Sequence, residues 1–180
     1  INFLKYSGTL DPTDVGTLTN TFRYKNFSLS ANINYEFGAV TRLRSITNTD
    51  DYSAFPRELT QRWKKPGDEK HTDIPRLPTS YAFDQYGADN LINAYYAYGA
   101  STARIVSTDF IRLKEISMEY TVSKTLLRRT PLKNLAVKLQ AQNLMLLYSD
   151  ARLRGDDPEY MYSSSVTAPK KLILTLRVGL

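Results

Sequence analysis

Cysteine is absent from the 180 residues, which excludes a disulfide framework and a thiolate metal site. Histidine occurs once, as His71, in a charged stretch with Asp68 and Glu69 close to it. A histidine-based triad has no visible partner there, and no phosphate-cradling glycine motif is present, so the pattern argues against an enzyme. No segment approaches the roughly 18 consecutive apolar residues of a spanning helix. That absence does not exclude membrane strands, in which only every second residue faces lipid. One-signed charge is also sparse: the net charge of +6 is spread along the chain, with basic pairs only at places such as Lys64-Lys65, Arg128-Arg129 and Lys170-Lys171. Nucleic-acid binders concentrate such residues on one face, so no nucleic-acid partner is expected. Ile1 opens neither a basic nor an apolar leader segment. The expectation is therefore either a cytoplasmic chain or an internal or C-terminal piece of a longer polypeptide.

What the chain does have is alternation. From Phe27 to Phe37, odd positions carry Phe27, Leu29, Ala31, Ile33, Tyr35 and Phe37, and even positions carry Ser28, Ser30, Asn32, Asn34 and Glu36. That is a two-faced β-strand. Tilted as barrel strands are, it spans roughly 25 Å, the height of an outer-membrane apolar band, with aromatic residues at both ends. A half-buried strand of a soluble sandwich fits the same pattern. Further strands are expected near 17–24, 108–122, 135–147 and 171–180, with Lys25-Asn26 as a hairpin turn. Within 108–122, Ile111 and Leu113 lie out of phase with Ile116, Met118, Tyr120 and Val122. Two accounts fit: a β-bulge near Lys114-Glu115, or side chains turned toward a filled interior.

Between the strands, short connections (25–26 and 123–134) alternate with long ones (38–107 and 148–170), the asymmetry of transmembrane barrels. A short helix is expected near Ala88 to Tyr98 inside the first long loop. The terminal run ends on Leu180 after Leu172, Leu174, Leu176 and Val178 share one face.

Five motifs stand in order along the chain: NTFRYK at 20–25, RWKKPGDEKHTDIPRL at 62–77, STDFIRLKEISMEYTVSKTLL at 107–127, LQAQNL at 139–144 and GDDPE at 155–159. Together they resemble the C-terminal barrel region of SusC/RagA-family TonB-dependent outer-membrane transporters. The chain departs from that family in ending on Leu180 rather than an aromatic residue, and in the composition of 161–166. The resemblance implies an all-β fold: an antiparallel transmembrane β-barrel segment, five C-terminal strands of a plugged barrel of about 22 strands, with plug and N-terminal region absent. It implies import of oligosaccharides or peptides through the outer membrane of a Gram-negative bacterium. The implied partners are a SusD-like lipoprotein, TonB acting through the absent plug, outer-membrane lipid and the cargo; no cofactor is implied. A passive porin-like or adhesin-like barrel segment, or a soluble carbohydrate-binding β-sandwich, remains the alternative.

The expected lipid-facing residues are Phe27, Leu29, Ile33, Tyr35, Phe37, Leu172, Leu174, Leu176, Val178 and Leu180. In the loops, Tyr81, Tyr86, Tyr95, Tyr96 and Tyr98 offer rigid apolar faces with polar tips, suited to sugar rings or a lid protein, though such residues also fold a loop onto itself. Asp156, Asp157 and Glu159 form a carboxylate group of the type that takes Ca²⁺, or simply a solvated turn.

Overall fold

The computed structural model describes residues 4–44, 57–161 and 167–180. Ile1 and the parts of the two expected loops at 45–56 and 162–166 lie outside the described residues. Seven strands form in chain order: β1 (Asp14–Tyr24), β2 (Phe27–Phe37), β3 (Val40–Arg42), β4 (Ile105–Ser107), β5 (Phe110–Thr121), β6 (Asn134–Ser149) and β7 (Lys171–Gly179). Five make one antiparallel sheet in the order β1-β2-β5-β6-β7, while β3 and β4 make a two-stranded ribbon.

Period-2 patterning gives this sheet two unlike faces. Leu18 pairs with Ile33, Phe22 with Leu29, and Tyr24 with Phe27, so one face is apolar from the first edge inward. It continues through Met118 opposite Leu139, and Leu139 opposite Leu174, to the far edge. On the other face Thr17 Oγ1 donates to Asn34 Oδ1 (3.2 Å), Thr21 and Ser30 hydroxyls meet at 2.9 Å, and Glu115 accepts from the Gln140 and Gln142 amides (2.9 and 3.0 Å).

The out-of-phase residues of β5 are explained by a bulge. Asn32 pairs with Glu115 but Ile33 pairs with Leu113, so Lys114 is the extra residue. The slip of one position returns Leu113 and Ile111 to the face of Ile116 and Met118. Lys114, freed from the ladder, reaches Glu159 at 2.8 Å. At the β1–β2 turn Lys25 takes φ 51°, and its ammonium lies 5.2 Å from the Tyr24 ring centroid.

The expectation of an all-β transmembrane β-barrel segment is corrected here. The sheet is open, since β1 and β7 pair with nothing beyond β2 and β6 among the described residues, and five strands are too few to close when single-chain barrels need about eight. The fold is also mixed, because the first long connection carries helices α1 (Ser80–Tyr86) and α2 (Ala88–Ala100), and α3 (Lys124–Leu127) follows β5. Thr79 starts α1 by accepting from Ala82 N at 3.3 Å, a side-chain N-cap. Gly87, at φ 82° and ψ 142°, ends α1 and begins α2 in a conformation that residues with a Cβ rarely adopt. Arg42 Nη1 donates to the Gly99 and Ser101 carbonyls (2.9 and 2.8 Å), satisfying acceptors that the end of α2 leaves without helical partners.

The buried core lies at the long-loop end of the sheet. Leu59 and Ile74 pack with Leu77 and Tyr98, and Ala39, Val106, Phe110 and Leu153 are also buried. The loops therefore cover the polar face near Phe110 and Arg112, while the apolar face is largely bare.

Candidate functional site: an aromatic groove over an ionic network

The segment 57–79 is held in shape by its own polar groups. Asp68 accepts from the backbone N–H of Lys64 (3.0 Å) and of Lys65 (3.1 Å), and these bonds hold its carboxyl below the usual aspartate range. His71 donates its backbone N–H to Asp68 O at 2.9 Å and is exposed, so the Pro-Gly-Asp motif builds a turn. Trp63 N donates to Ile74 O at 2.9 Å, closing the segment beside the helices.

Facing it, α2 presents Leu91, Ala94, Tyr95 and Tyr98, spaced at i, i+3, i+4 and i+7, and α1 presents Tyr81, Ala82, Gln85 and Tyr86. With Trp63, Pro75, Arg76, Pro78 and Thr79 these residues line a groove of about 450 Å³. The volume is in the range of small-ligand sites. Four of the five singled-out tyrosines, Tyr81, Tyr86, Tyr95 and Tyr98, are brought together here; Tyr96 is outside the lining and 74% exposed. Tyr95 Oη donates to the Arg76 carbonyl, Trp63 Nε1 to the Lys65 carbonyl, and Tyr98 Oη accepts from Arg104 Nη1 at 3.3 Å. Burial raises the Tyr95 phenol pKa against the opposing pull of Arg76, and raises that of Tyr98 against its hydrogen bond from Arg104.

Beneath the groove lies a network that sequence reading missed. Arg104, buried, donates from Nη1 (2.7 Å) and Nη2 (2.8 Å) to the two carboxylate oxygens of Glu58, and Arg154 Nη1 adds a third bond at 2.9 Å. Arg104 also donates to the Arg44 carbonyl and lies 5.4 Å from the Tyr98 ring centroid. These partners are 46 and 96 residues apart in sequence, so no local spacing could have revealed them.

The carboxylates considered for Ca²⁺ are placed otherwise. Asp157 pairs with Arg112, and Glu159 pairs with Lys114 at 2.8 Å, while Arg112 Nε lies 3.1 Å from Glu159 Oε2 at ion-pair separation without hydrogen-bond alignment. Asp157 also caps the turn that follows it, accepting from Glu159 N at 3.1 Å. Two cations thus occupy the space that a divalent ion would need, and Asp156 stands exposed beside them. Among the described residues no group of three His, Cys, Asp or Glu side chains is arranged to hold a metal ion.

Of the residues expected to face lipid, Phe27, Leu29, Leu172, Leu174, Leu176, Val178 and Leu180 are exposed, Leu172 and Leu174 by 74% and 71%. Ile33, Tyr35 and Phe37 are half-buried on the same face. Tyr35 lies over Gly16, where an added Cβ would sit 2.4 Å from its ring, and its centroid is 5.4 Å from that of Phe37.

No protein-family model and no curated protein matches the chain. Solved structures do: the RagAB peptide importer in its open-open state (TM-score 0.63, 19% identity, 98% of this chain and 18% of that one) and in its closed-closed state (0.62, 19%, 97% and 18%). A further structure of the RagAB peptide transporter matches at 0.62 and 19%, over 96% of this chain and 18% of that one. The 180 residues therefore span less than a fifth of the length of the transporter chains they resemble. Assignment to the C-terminal barrel region of a TonB-dependent transporter is corrected accordingly, since the sheet is open, helices interrupt it and the likeness is partial. At 19% identity the likeness is one of fold: the 180 residues are similar in structure to a part of the RagAB peptide importer.

Proposed function

We propose that these residues form a sheet-and-loop section of an outer-membrane import assembly, with the apolar sheet face against lipid and the aromatic groove toward cargo or a SusD-like lipoprotein. The observation that carries this reading is the bare apolar face crossing all five strands from Leu18 to Leu174. Exposed apolar patches larger than a few hundred Å² mark interaction or membrane surfaces. The fold likeness to the RagAB peptide importer supports peptides as the cargo class. Any coupling to TonB would run through residues other than these.

The test is insertion of charge. Leu174→Arg and Leu29→Arg in the full-length chain are expected to block outer-membrane assembly, because a midplane cation on lipid-facing strand positions costs about 2–4 kcal/mol. Thr175→Arg, on the opposite face of β7, is the control and should assemble. Normal assembly of all three, or a full-length chain that stays monodisperse in buffer without detergent, overturns the membrane reading. A second reading, a passive porin-like or adhesin-like outer-membrane segment without energy coupling, draws equal support from the apolar face. Uptake that persists after the proton-motive force is collapsed would favour it.

A further inference from the structure

We infer that the aromatic groove is a pocket for the free C-terminus of a peptide ending in an aromatic or prolyl residue, with Arg76 as the carboxylate anchor. The inference rests on the import reading above and narrows its cargo. Arg76 is the only charged side chain among the described residues lining the groove. It is exposed, and no ion pair engages its guanidinium among the described residues. The other guanidiniums of this region have work already: Arg104 and Arg154 on Glu58, Arg42 on the end of α2, Arg152 on Asp150. An exposed arginine lining an otherwise uncharged aromatic groove is complementary to a carboxylate attached to an apolar body, and planar guanidinium–carboxylate pairing is bidentate.

Peptide is favoured over acidic sugar because three of the groove's polar handles are already engaged, which leaves Gln85 and the Tyr81 and Tyr86 hydroxyls for a peptide backbone. A pyranose needs hydrogen-bond donors and acceptors around its ring as well as a stacking surface. Here the Trp63 indole N–H and the Tyr95 hydroxyl are spent on backbone carbonyls, and the Tyr98 hydroxyl is engaged by Arg104. What those three residues leave for a ligand is ring face. Aromatic and prolyl side chains ask for that and little else.

The test uses the detergent-solubilised full-length chain and three probes: Ala-Gly-Ala-Pro-Phe with a free carboxylate, the same peptide amidated, and trigalacturonate. Calorimetric titration should show the free acid binding about tenfold tighter than the amide, the size expected for one charge-assisted pair. Arg76→Gln should abolish that preference, and Arg76→Lys should restore part of it. Equal acid and amide binding to the native chain, or an acid preference that survives Arg76→Gln, overturns the pocket. So does trigalacturonate binding as tightly as the peptide acid in an Arg76-dependent way. Whole-cell uptake of the same peptide is read separately: Arg76-dependent binding without any uptake refutes import while leaving the pocket standing.

Discussion

Replacing Glu58 with alanine removes the single anion on which two guanidiniums converge. Glu58 and Arg104 side chains are 9% and 2% accessible, so Arg104 has no route to water once its partner is gone. Breaking a buried pair from one side costs about 3–5 kcal/mol, far more than the net worth of the pair, because a charge is left uncompensated. Arg154 is 25% accessible and can turn outward, so the penalty falls on Arg104. The expected result is local opening of the loop region rather than loss of the sheet, which shares none of these bonds. Hydrogen exchange reads it at two amides: Leu43 N, bonded to Arg104 O at 2.8 Å, and Trp63 N, bonded to Ile74 O at 2.9 Å. Both should exchange about a hundred to several thousand times faster in Glu58→Ala, while amides in β2 and β5 keep their protection. The double variant Glu58→Leu with Arg104→Met should recover most of the loss, since paired apolar replacement removes the stranded charge as well. Unchanged exchange at Leu43 and Trp63 in Glu58→Ala, or a double variant worse than the single one, would refute the reasoning.

Gly87→Ala places a Cβ at φ 82° and should destabilise the α1–α2 junction by about 1–3 kcal/mol, seen as faster proteolysis between Tyr86 and Leu91. Gly16→Ala puts a methyl 2.4 Å from the Tyr35 ring and should lower the thermal midpoint of the detergent-solubilised chain, by overpacking worth about 1–3 kcal/mol; an unchanged midpoint sinks the contact. The Asp68 carboxyl is held below its ordinary value of 3.8 by the Lys64 and Lys65 amides. A depressed folded pKa contributes stability above the unfolded value, and that stability disappears as pH falls through the folded one. Exchange at the Lys64 and Lys65 amides should therefore rise as pH drops below about 3.8 relative to the intrinsic rate, and Asp68→Asn should flatten that dependence.

Alternation carries local information, and where it is unbroken the strand can be read directly. Phe27–Phe37 is β2 for that reason, and the phase slip at Ile111 and Leu113 announces an irregularity, although only the ladder to Asn32 and Ile33 distinguishes a bulge from inverted side chains. Helix α2 shows a stripe at 91, 94, 95 and 98. Helix α1 leaves little trace in the sequence because its seven residues are too few for a period to emerge, and its one signal is Thr79 three residues before Ala82. Closure of the sheet is a property of strand number and edges, which pattern within strands does not encode; hence the expected barrel gave way to an open sheet. The ion pairs were illegible for another reason. Charged residues are common in loops, and nothing in GDDPE distinguishes a free carboxylate from Asp157 and Glu159 already neutralised by Arg112 and Lys114.

Where the loops lie relative to the sheet bears on the membrane proposal more than any single residue does. A sheet folding in water alone would cover its apolar face first, because each large apolar side chain moved out of water is worth about 1.5–3 kcal/mol. Here the turn at Pro158–Tyr160 docks over the hydrogen-bonded face instead, with Arg112 and Phe110 buried beneath the loops. Leu172, Leu174, Leu176, Leu18, Phe22 and Phe27 stay at least half exposed. Six such side chains represent about as much free energy as the whole stability of an ordinary domain, roughly 5–15 kcal/mol. A chain that leaves that much uncovered while spending its loops on the polar side fits the proposed apolar surrounding. For the same reason, Leu174→Arg and Thr175→Arg, one residue apart, are expected to have opposite fates.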